Sequence, residues 1–395
     1  MSALVDWGGQ RRPAHRAWSI AALAIVMGFL LAMPAGRSAA ATVRPLPSGV
    51  STASSSWVVL PMGELSVQSN TFWQVFHSAP GSSQWSDVTP QGVADNGGLV
   101  AGAAAGSVLI GFLPSNLLRY SPLAVTANGG ATWSPQLLPA GLRALPDGLA
   151  YDGAGPGGAL AATEGGTVLA APQSLSRWSP LISAAHLARL SRNCGVTSID
   201  AVAIPSGSPL VATGCRRGGV VGIFTDTAGT WRPDGIPLSD QARSATAVLR
   251  LDASGATTTA LVSASRSRYR ALVALWRNSG AAWSPSGALT LSTRASVLAS
   301  AVGDDGALAV LLGSPQTGAG VFMINPGGAW VRLPKPPAGT TAIALPSGPA
   351  TVEGDAVDAF TVHGGSLGVY ALTPSGTKWA RVQSSQIALA YGSSG

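Results

Sequence analysis

Thr126-Ala127-Asn128-Gly129-Gly130-Ala131-Thr132-Trp133 follows the apolar run Pro122–Val125 and leads, at its Trp, into a second short strand signal. Asn-Gly-Gly tolerates positive φ, so the stretch predicts a tight turn between two antiparallel strands. Fainter copies recur along the chain. Trp85, Trp133, Trp178, Trp231, Trp283, Trp330 and Trp379 each follow a Gly/Ser/Pro/Asn-rich turn, at intervals of 48, 45, 53, 52, 47 and 49 residues. Seven units near 50 residues predict a propeller-type repeat.

A repeat array counts as one domain, so 395 residues do not imply two or three. Hydrophobic residues make up 46% and charged residues 10%, enough for a large core, and 50 Gly with 28 Pro suit turns better than helices. Arg outnumbers Lys 22 to 2, a codon bias of GC-rich bacterial genomes.

Residues 1–41 read as a targeting segment. Arg11, Arg12 and Arg16 form a basic start, Ala17–Ala35 is apolar, and Ser38-Ala39-Ala40 supplies the small residues of a cleavage site. The apolar run is long enough for a retained membrane anchor as well, so cleavage and anchoring at 17–35 both stay open. The segment holds four Arg and one Asp, which leaves 20 basic against 16 acidic residues in 42–395. That balance, together with export, argues against nucleic acid as a partner.

Two Cys occur, Cys194 and Cys215, flanking the strand-like runs Val196–Ile204 and Leu210–Thr213. A hairpin brings them close to opposite each other, and in an oxidising compartment a disulfide is the preferred reading over two buried thiols. With no His beside them they do not make a zinc site, and His77, His186 and His363 share no ligand spacing, so no metal is expected.

Thr42–Ser55 is rich in Pro, Ser, Thr and Ala and reads as a linker. From there one pattern repeats, as in Thr246–Leu251, Thr257–Ala264, Tyr269–Trp276 and Ala282–Pro285: four short strands with Gly-rich turns. Ser183–Leu190 is the one helical stretch. The first unit shows only Ser56–Leu60 and Thr71–His77 before its Trp, while Gln386–Tyr391 has no unit of its own. The expected fold is therefore all-β, a seven-bladed propeller of four-stranded blades over 56–395, closed by the C-terminal strand entering the first blade.

Thr126-x-Asn128-x-Gly130-x-Thr132-Trp133 resembles the Asp-box, Ser/Thr-x-Asp-x-Gly-x-Thr-Trp, of the sialidase-like (BNR-repeat) β-propellers, with Asn in place of Asp. Asn278-x-Gly280-x-x-Trp283 and Asn325-x-Gly327-x-x-Trp330 keep its spacing. The resemblance implies a structural turn between the third and fourth strands of a blade, with the Trp between blades and away from the ligand face. It implies a fold and no activity. The sialidase aromatic-Arg-Ile/Leu-Pro motif is read as missing. Glu64, Glu164 and Glu353 are the only Glu of the mature part, and no Tyr has a Glu nearby.

Other motifs point to turns. Gly153-Ala154-Gly155-Pro156-Gly157-Gly158 matches the dinucleotide fingerprint in letters, but Pro156 and its neighbours give no helix to carry it. Asp304-Asp305-Gly306 reads as a strand-connecting turn rather than a calcium loop. No cofactor and no catalytic residue is assigned. The polar feature left is Arg: Arg216 and Arg217 between the second and third strands of the fourth unit, and Arg266, Arg268 and Arg270 at the same connection of the fifth. Side by side on one face they suit a carboxylate, sulfate or phosphate. The resulting expectation is an exported, non-enzymatic propeller that binds a partner protein or anionic glycan on that face. The alternatives are a divergent carbohydrate-active enzyme, with two carboxyl groups across a central pocket, and a membrane-anchored assembly factor.

Overall fold

The computed structural model describes residues 47–63, 71–91, 97–102, 107–114, 119–153, 155–238, 244–265, 269–314, 318–347, 357–363 and 365–386. The targeting segment and residues 387–391 lie outside them. Among the described residues no helix is long and apolar enough to cross a membrane.

The all-β expectation holds. Strands run in antiparallel meanders of four. The first is β1 (Ser48–Thr52), β2 (Ser55–Gly63), β3 (Thr71–Ser78) and β4 (Ser86–Asp87), and the second β5 (Gly98–Gly102), β6 (Val108–Phe112), β7 (Ser121–Thr126) and β8 (Ser134–Leu138). The third is β9 (Leu149–Tyr151), β10 (Ala159–Ala162), β11 (Thr167–Ala171) and β12 (Ser179–Ser183), followed by the helix α1 (Ala184–Leu190), whose N-cap is Ser183. Next come β13 (Val196–Ala203), β14 (Leu210–Cys215), β15 (Gly222–Thr227) and β16 (Thr230–Pro233). After them run β17 (Ala245–Ser254), β18 (Thr257–Ser265), β19 (Tyr269–Asn278) and β20 (Ser284–Pro285), with β21 (Leu289–Ser292) also on β19. The last two are β22 (Ser296–Val302), β23 (Leu308–Ser314), β24 (Gly318–Ile324), β25 (Val331–Arg332), and β26 (Thr340–Ala344), β27 (Asp358–His363), β28 (Ser366–Leu372), β29 (Trp379–Gln386). Hydrogen bonding groups these strands into six sheets, one of them nine-stranded. In that sheet the β13–β16 and β17–β20 meanders are joined at a single pair, Cys215 with Thr246.

The innermost strands pack around an axis: β1 on β5, β5 on β9, β9 on β13, β13 on β17, β22 on β26, and β26 back on β1. Apolar side chains fill the spaces between successive meanders. Leu99, Leu109 and Leu123 meet Leu149, Ala161 and Leu169, and Leu261, Leu272 and Trp276 meet Val302, Leu308 and Val310. At roughly 25 cal/mol per Å² of buried apolar area, these interfaces are the main stabilising contribution.

Ring closure differs from the expected strand exchange. β1, inside the stretch read as a linker, pairs with β2 from Ser48↔Val59 to Thr52↔Ser55. That occupies the inner edge of β2, so residues 386–391 have no place beside Ser56–Leu60. Gln386 instead ends β29, opposite Ser366. The short Ser/Gly/Val/Thr composition of β1 hid it, because small polar residues in strands look like linker.

Side chains join the first and last meanders. Trp85 Nε1 donates to Asp358 Oδ2 at 2.8 Å, and its ring meets Phe360 edge-on at 5.0 Å. Gln383 clasps the Trp85 backbone, accepting from N at 2.7 Å and donating to O at 2.8 Å. Val58, Leu60, Phe76, Ala344 and Val369 fill the seam behind them.

Candidate functional site

The Thr126–Trp133 turn joins β7 to β8. Thr126 Oγ1 accepts from Gly130 N at 3.1 Å, and Asn128 Oδ1 accepts from Thr126 Oγ1 at 2.9 Å and from Thr132 N at 3.0 Å. Gly130 stands at φ 83°, and a Cβ there would meet Val88 Cβ at 2.6 Å, so Gly is required twice over. Trp133 Nε1 donates to Val88 O of the preceding meander at 2.8 Å. Trp330 does the same to Gly287 O at 3.1 Å and Trp379 to Pro334 O at 3.1 Å. The repeated Trp is a tie between neighbours, and no functional group in the turn is left over for a ligand.

The axis holds a charged cluster that the sequence reading passed over. Arg250, 1% exposed, points inward from β17. A β-bulge between Val248 and Arg250 breaks the in-out alternation and aims the side chain at the axis. Its Nη1 donates to Ser300 O at 3.1 Å and its Nη2 to Gly49 O at 2.9 Å. Its Nε faces Asp147 Oδ2 at 2.9 Å as an ion pair, off the line of a good hydrogen bond. Asp147 also accepts from Leu251 N at 2.6 Å. One guanidinium thus ties β17 to β1, β22 and the segment before β9.

A second bulge, at Asp200 in β13, puts its carboxylate on Val248 N at 3.1 Å and Ser198 Oγ at 2.6 Å. The signal available in the sequence was a charged residue inside an otherwise apolar strand, Val248-Leu249-Arg250-Leu251.

Burial pushes the carboxyl groups here up. It raises Asp147 against the opposing pull of Arg250, and it raises Asp200. Burial, then the negative Asp147 nearby, pushes Asp252 up to about 7. Asp252 is half-buried and lines the axial cavity. That cavity, lined by Asp147, Tyr151, Arg250 and Asp252 among others, measures about 30 Å³. It has room for one or two waters, and ligand pockets run to roughly 300–1,000 Å³. The axial Asp147 is engaged by Arg250 and Leu251, so the two carboxyl groups do not flank a space that admits a sugar.

The Arg cluster is divided. Arg216 and Arg217 are exposed in the turn after β14, and Arg270 is half-buried in β19 opposite Ser265 and Leu291. Arg266 and Arg268 lie outside the described residues. The 216–217 turn is held at its base: Arg216 N donates to Gly195 O at 3.2 Å and Arg217 N to Cys194 O at 3.1 Å. Cys194 and Cys215 stand as a disulfide-compatible pair there, with Cα atoms 4.7 Å apart. Among the described residues the ion pairs are Arg250 with Asp147 and Arg277 with Asp234, so neither Arg216 nor Arg217 is neutralised.

The Arg motif read as missing needs a correction. Arg332-Leu333-Pro334 is a partial copy, with Val331 where the family has an aromatic residue. Arg332 is exposed on the outermost strand β25, its guanidinium 5.9 Å from the Phe322 ring, and far from the axial carboxylates in the order of strands. Gly153 and Gly155–Gly158 lie between β9 and β10, where Asp152 Oδ2 accepts from Gly157 N at 2.9 Å. Asp305 Oδ1 accepts from Ala307 N at 2.8 Å within the turn between β22 and β23. Among the described residues no cluster of His, Cys, Asp or Glu has the form of a metal site.

No family model matches the chain, and no curated protein does. Solved structures do. A protein from Lactobacillus plantarum is 11% identical, with 84% of this chain and 96% of that one covered, at a TM-score of 0.53. A putative 6-phosphogluconolactonase from Bacteroides uniformis is 14% identical, with 83% and 96% covered, at 0.49. A fungal lectin described as a six-bladed β-propeller, from Aleuria aurantia, is 11% identical, with 88% and 98% covered, at 0.43.

The chain is a β-propeller. At these identities the likeness concerns fold alone. In propeller terms Arg216 and Arg217 sit where the second strand of a blade turns into the third. The axial cavity opens along the later halves of the inner strands, toward the turns that join first to second strands.

Proposed function

We propose that this propeller is an exported, non-enzymatic protein that binds an anionic glycan or an acidic partner protein through the Arg216–Arg217 turn. One observation carries the reading: two exposed, unneutralised Arg stand on a turn fixed at its base by Cys194 and Gly195. A fixed turn loses little freedom on binding, and guanidinium forks suit sulfate and carboxylate. Residues 42–395 hold 20 basic against 16 acidic residues, and their balance becomes more basic where Asp252 and Asp358, pushed up to about 7 chiefly by burial, keep their protons.

Seven blades fit best, with the nine-stranded sheet counted as two. The support is one hydrophobic cluster between each successive pair of meanders, the seventh joining the last to the first. Asp-box kinship rests on the Thr126–Trp133 turn and the Trp ties. The enzyme alternative has in its favour only the shared axial position of Asp147 and Asp252, in a cavity too small for a glycoside.

Heparin affinity chromatography of residues 42–395 tests the reading. Elution is expected to need added salt, and Arg216→Ala/Arg217→Ala is expected to elute markedly earlier. Equal elution of the two proteins would refute the Arg turn as the site.

A further inference from the structure

We infer that a second binding site, for a neutral hydroxyl-rich ring such as a single sugar residue, lies in the groove between the β13–β16 and β17–β20 blades. The inference stands apart from the Arg turn, since the groove is formed at the opposite ends of the strands. Its walls are the β13–β14 turn with Ser206 and Ser208, the end of β15 with Thr225 to Ala228, and Ala256, Thr258, Arg277 and Ser279 of the next blade. The volume is about 280 Å³, at the lower edge of the range for small-ligand sites and far above the axial cavity.

Two observations point to a ligand, and the turn geometry shapes the walls. Half of the lining residues carry a hydroxyl: Ser206, Ser208, Thr225, Thr227, Thr258 and Ser279 supply groups that both donate and accept. Asp226 adds a carboxylate that makes no side-chain hydrogen bond among the described residues, and its Oδ1 is shielded without a partner. Because Oδ1 is closed to solvent, a ligand hydroxyl in the groove meets the other oxygen of this carboxylate.

Of the three described non-glycine residues with positive φ, two line this groove. Ser206 and Ala228 both stand at φ 50°, each followed by a Gly, in hairpin turns of one blade. Positive φ at both central residues is the ordinary geometry of a two-residue hairpin turn, and it gives the groove walls a defined shape.

Charge selects the class. Arg277 is engaged by Asp234 and lies over Trp283 at 4.8 Å, so it brings no free positive charge. Asp226 has no counter-charge among the described residues, and an anion is therefore disfavoured. What remains is a neutral ligand rich in hydroxyl donors, whose several weak bonds the Ser and Thr side chains match.

Titration of residues 42–395 with methyl α-mannoside, methyl β-galactoside, methyl α-fucoside and N-acetylglucosamine, followed by saturation-transfer NMR and calorimetry, tests this. At least one is expected to bind at about millimolar strength. Asp226→Asn keeps the shape and is expected to weaken that binding at least about tenfold. Ala256→Trp fills the groove from an exposed turn and is expected to abolish it, while Arg216→Ala/Arg217→Ala leaves it unchanged. Thermal melts of each variant verify folding. Absence of binding by all four glycosides overturns the inference, and so does binding that survives Ala256→Trp. Loss of heparin retention with glycoside binding intact would strike the Arg turn alone.

Discussion

Arg250 and the Arg216–Arg217 pair lie in adjacent blades and have opposite fates. At the axis the guanidinium is enclosed, faces Asp147, and donates to carbonyls of two other meanders. On the rim the two guanidinium groups face water, and the protein positions only their backbone. The difference lies in backbone geometry. A bulge turns Arg250 inward, whereas Arg216 and Arg217 follow the last paired residue of β14. Charge at the axis is used by the fold. Charge on the rim is not used by the fold.

Breaking the axial pair should have the largest effect. Arg250→Met leaves Asp147 buried without its partner and should cost about 3–5 kcal/mol in urea unfolding. Adding Asp147→Leu should recover much of that loss, because an apolar replacement of both partners needs no charge buried. The corresponding rim change, Arg216→Ala/Arg217→Ala, should stay within about 0.5 kcal/mol.

Acidity should sharpen the contrast next. Asp358 at the seam and Asp252 at the axis have pKa values pushed from 3.8 up to about 7. Between those values the folded protein holds protons that the unfolded chain has released. Stability should therefore fall as pH rises from about 4 to 7 and level off above, by at most ~4 kcal/mol per group. Melting temperatures across that range should show the fall, and Asp358→Asn should flatten it. Rim substitutions should leave the slope as it is. A slope of opposite sign would contradict the burial of both carboxyls.

The Cys pair lies between the two regions, anchoring the rim turn at the blade junction. Cys194→Ser should cost ~2–4 kcal/mol and loosen the turn, so heparin retention should fall even with both Arg present. Unchanged stability with free thiols in the native protein would remove the anchor from the account.

The repeat, the strands of the middle units and the turn at Thr126–Trp133 were legible because each carries a strong local signal. Trp spacing, Asn-Gly-Gly and period-two alternation need no tertiary context. β1 was not legible: Ser48-Gly49-Val50-Ser51-Thr52 looks like linker until an unpaired edge of β2 calls for a partner. The closure was misassigned for the same reason, since a strand counted as missing was present upstream. Of the candidate site, the exposure of Arg216 and Arg217 follows from their place in a turn. Arg250 was missed because bulges are invisible in sequence and alternation predicts the wrong face. The groove between blades was beyond reach, as its walls come from four turns that only the packing of two blades brings together.

Hydrogen exchange with and without a heparin hexasaccharide tests the central claim, that binding belongs to the rim and not to the axis. Protection confined to the turn after Cys215 is the expected result, and the inner-strand segments around Asp147, Asp200 and Arg250 should exchange as before. Protection centred on those inner segments, with the 216–217 turn unchanged, would contradict it.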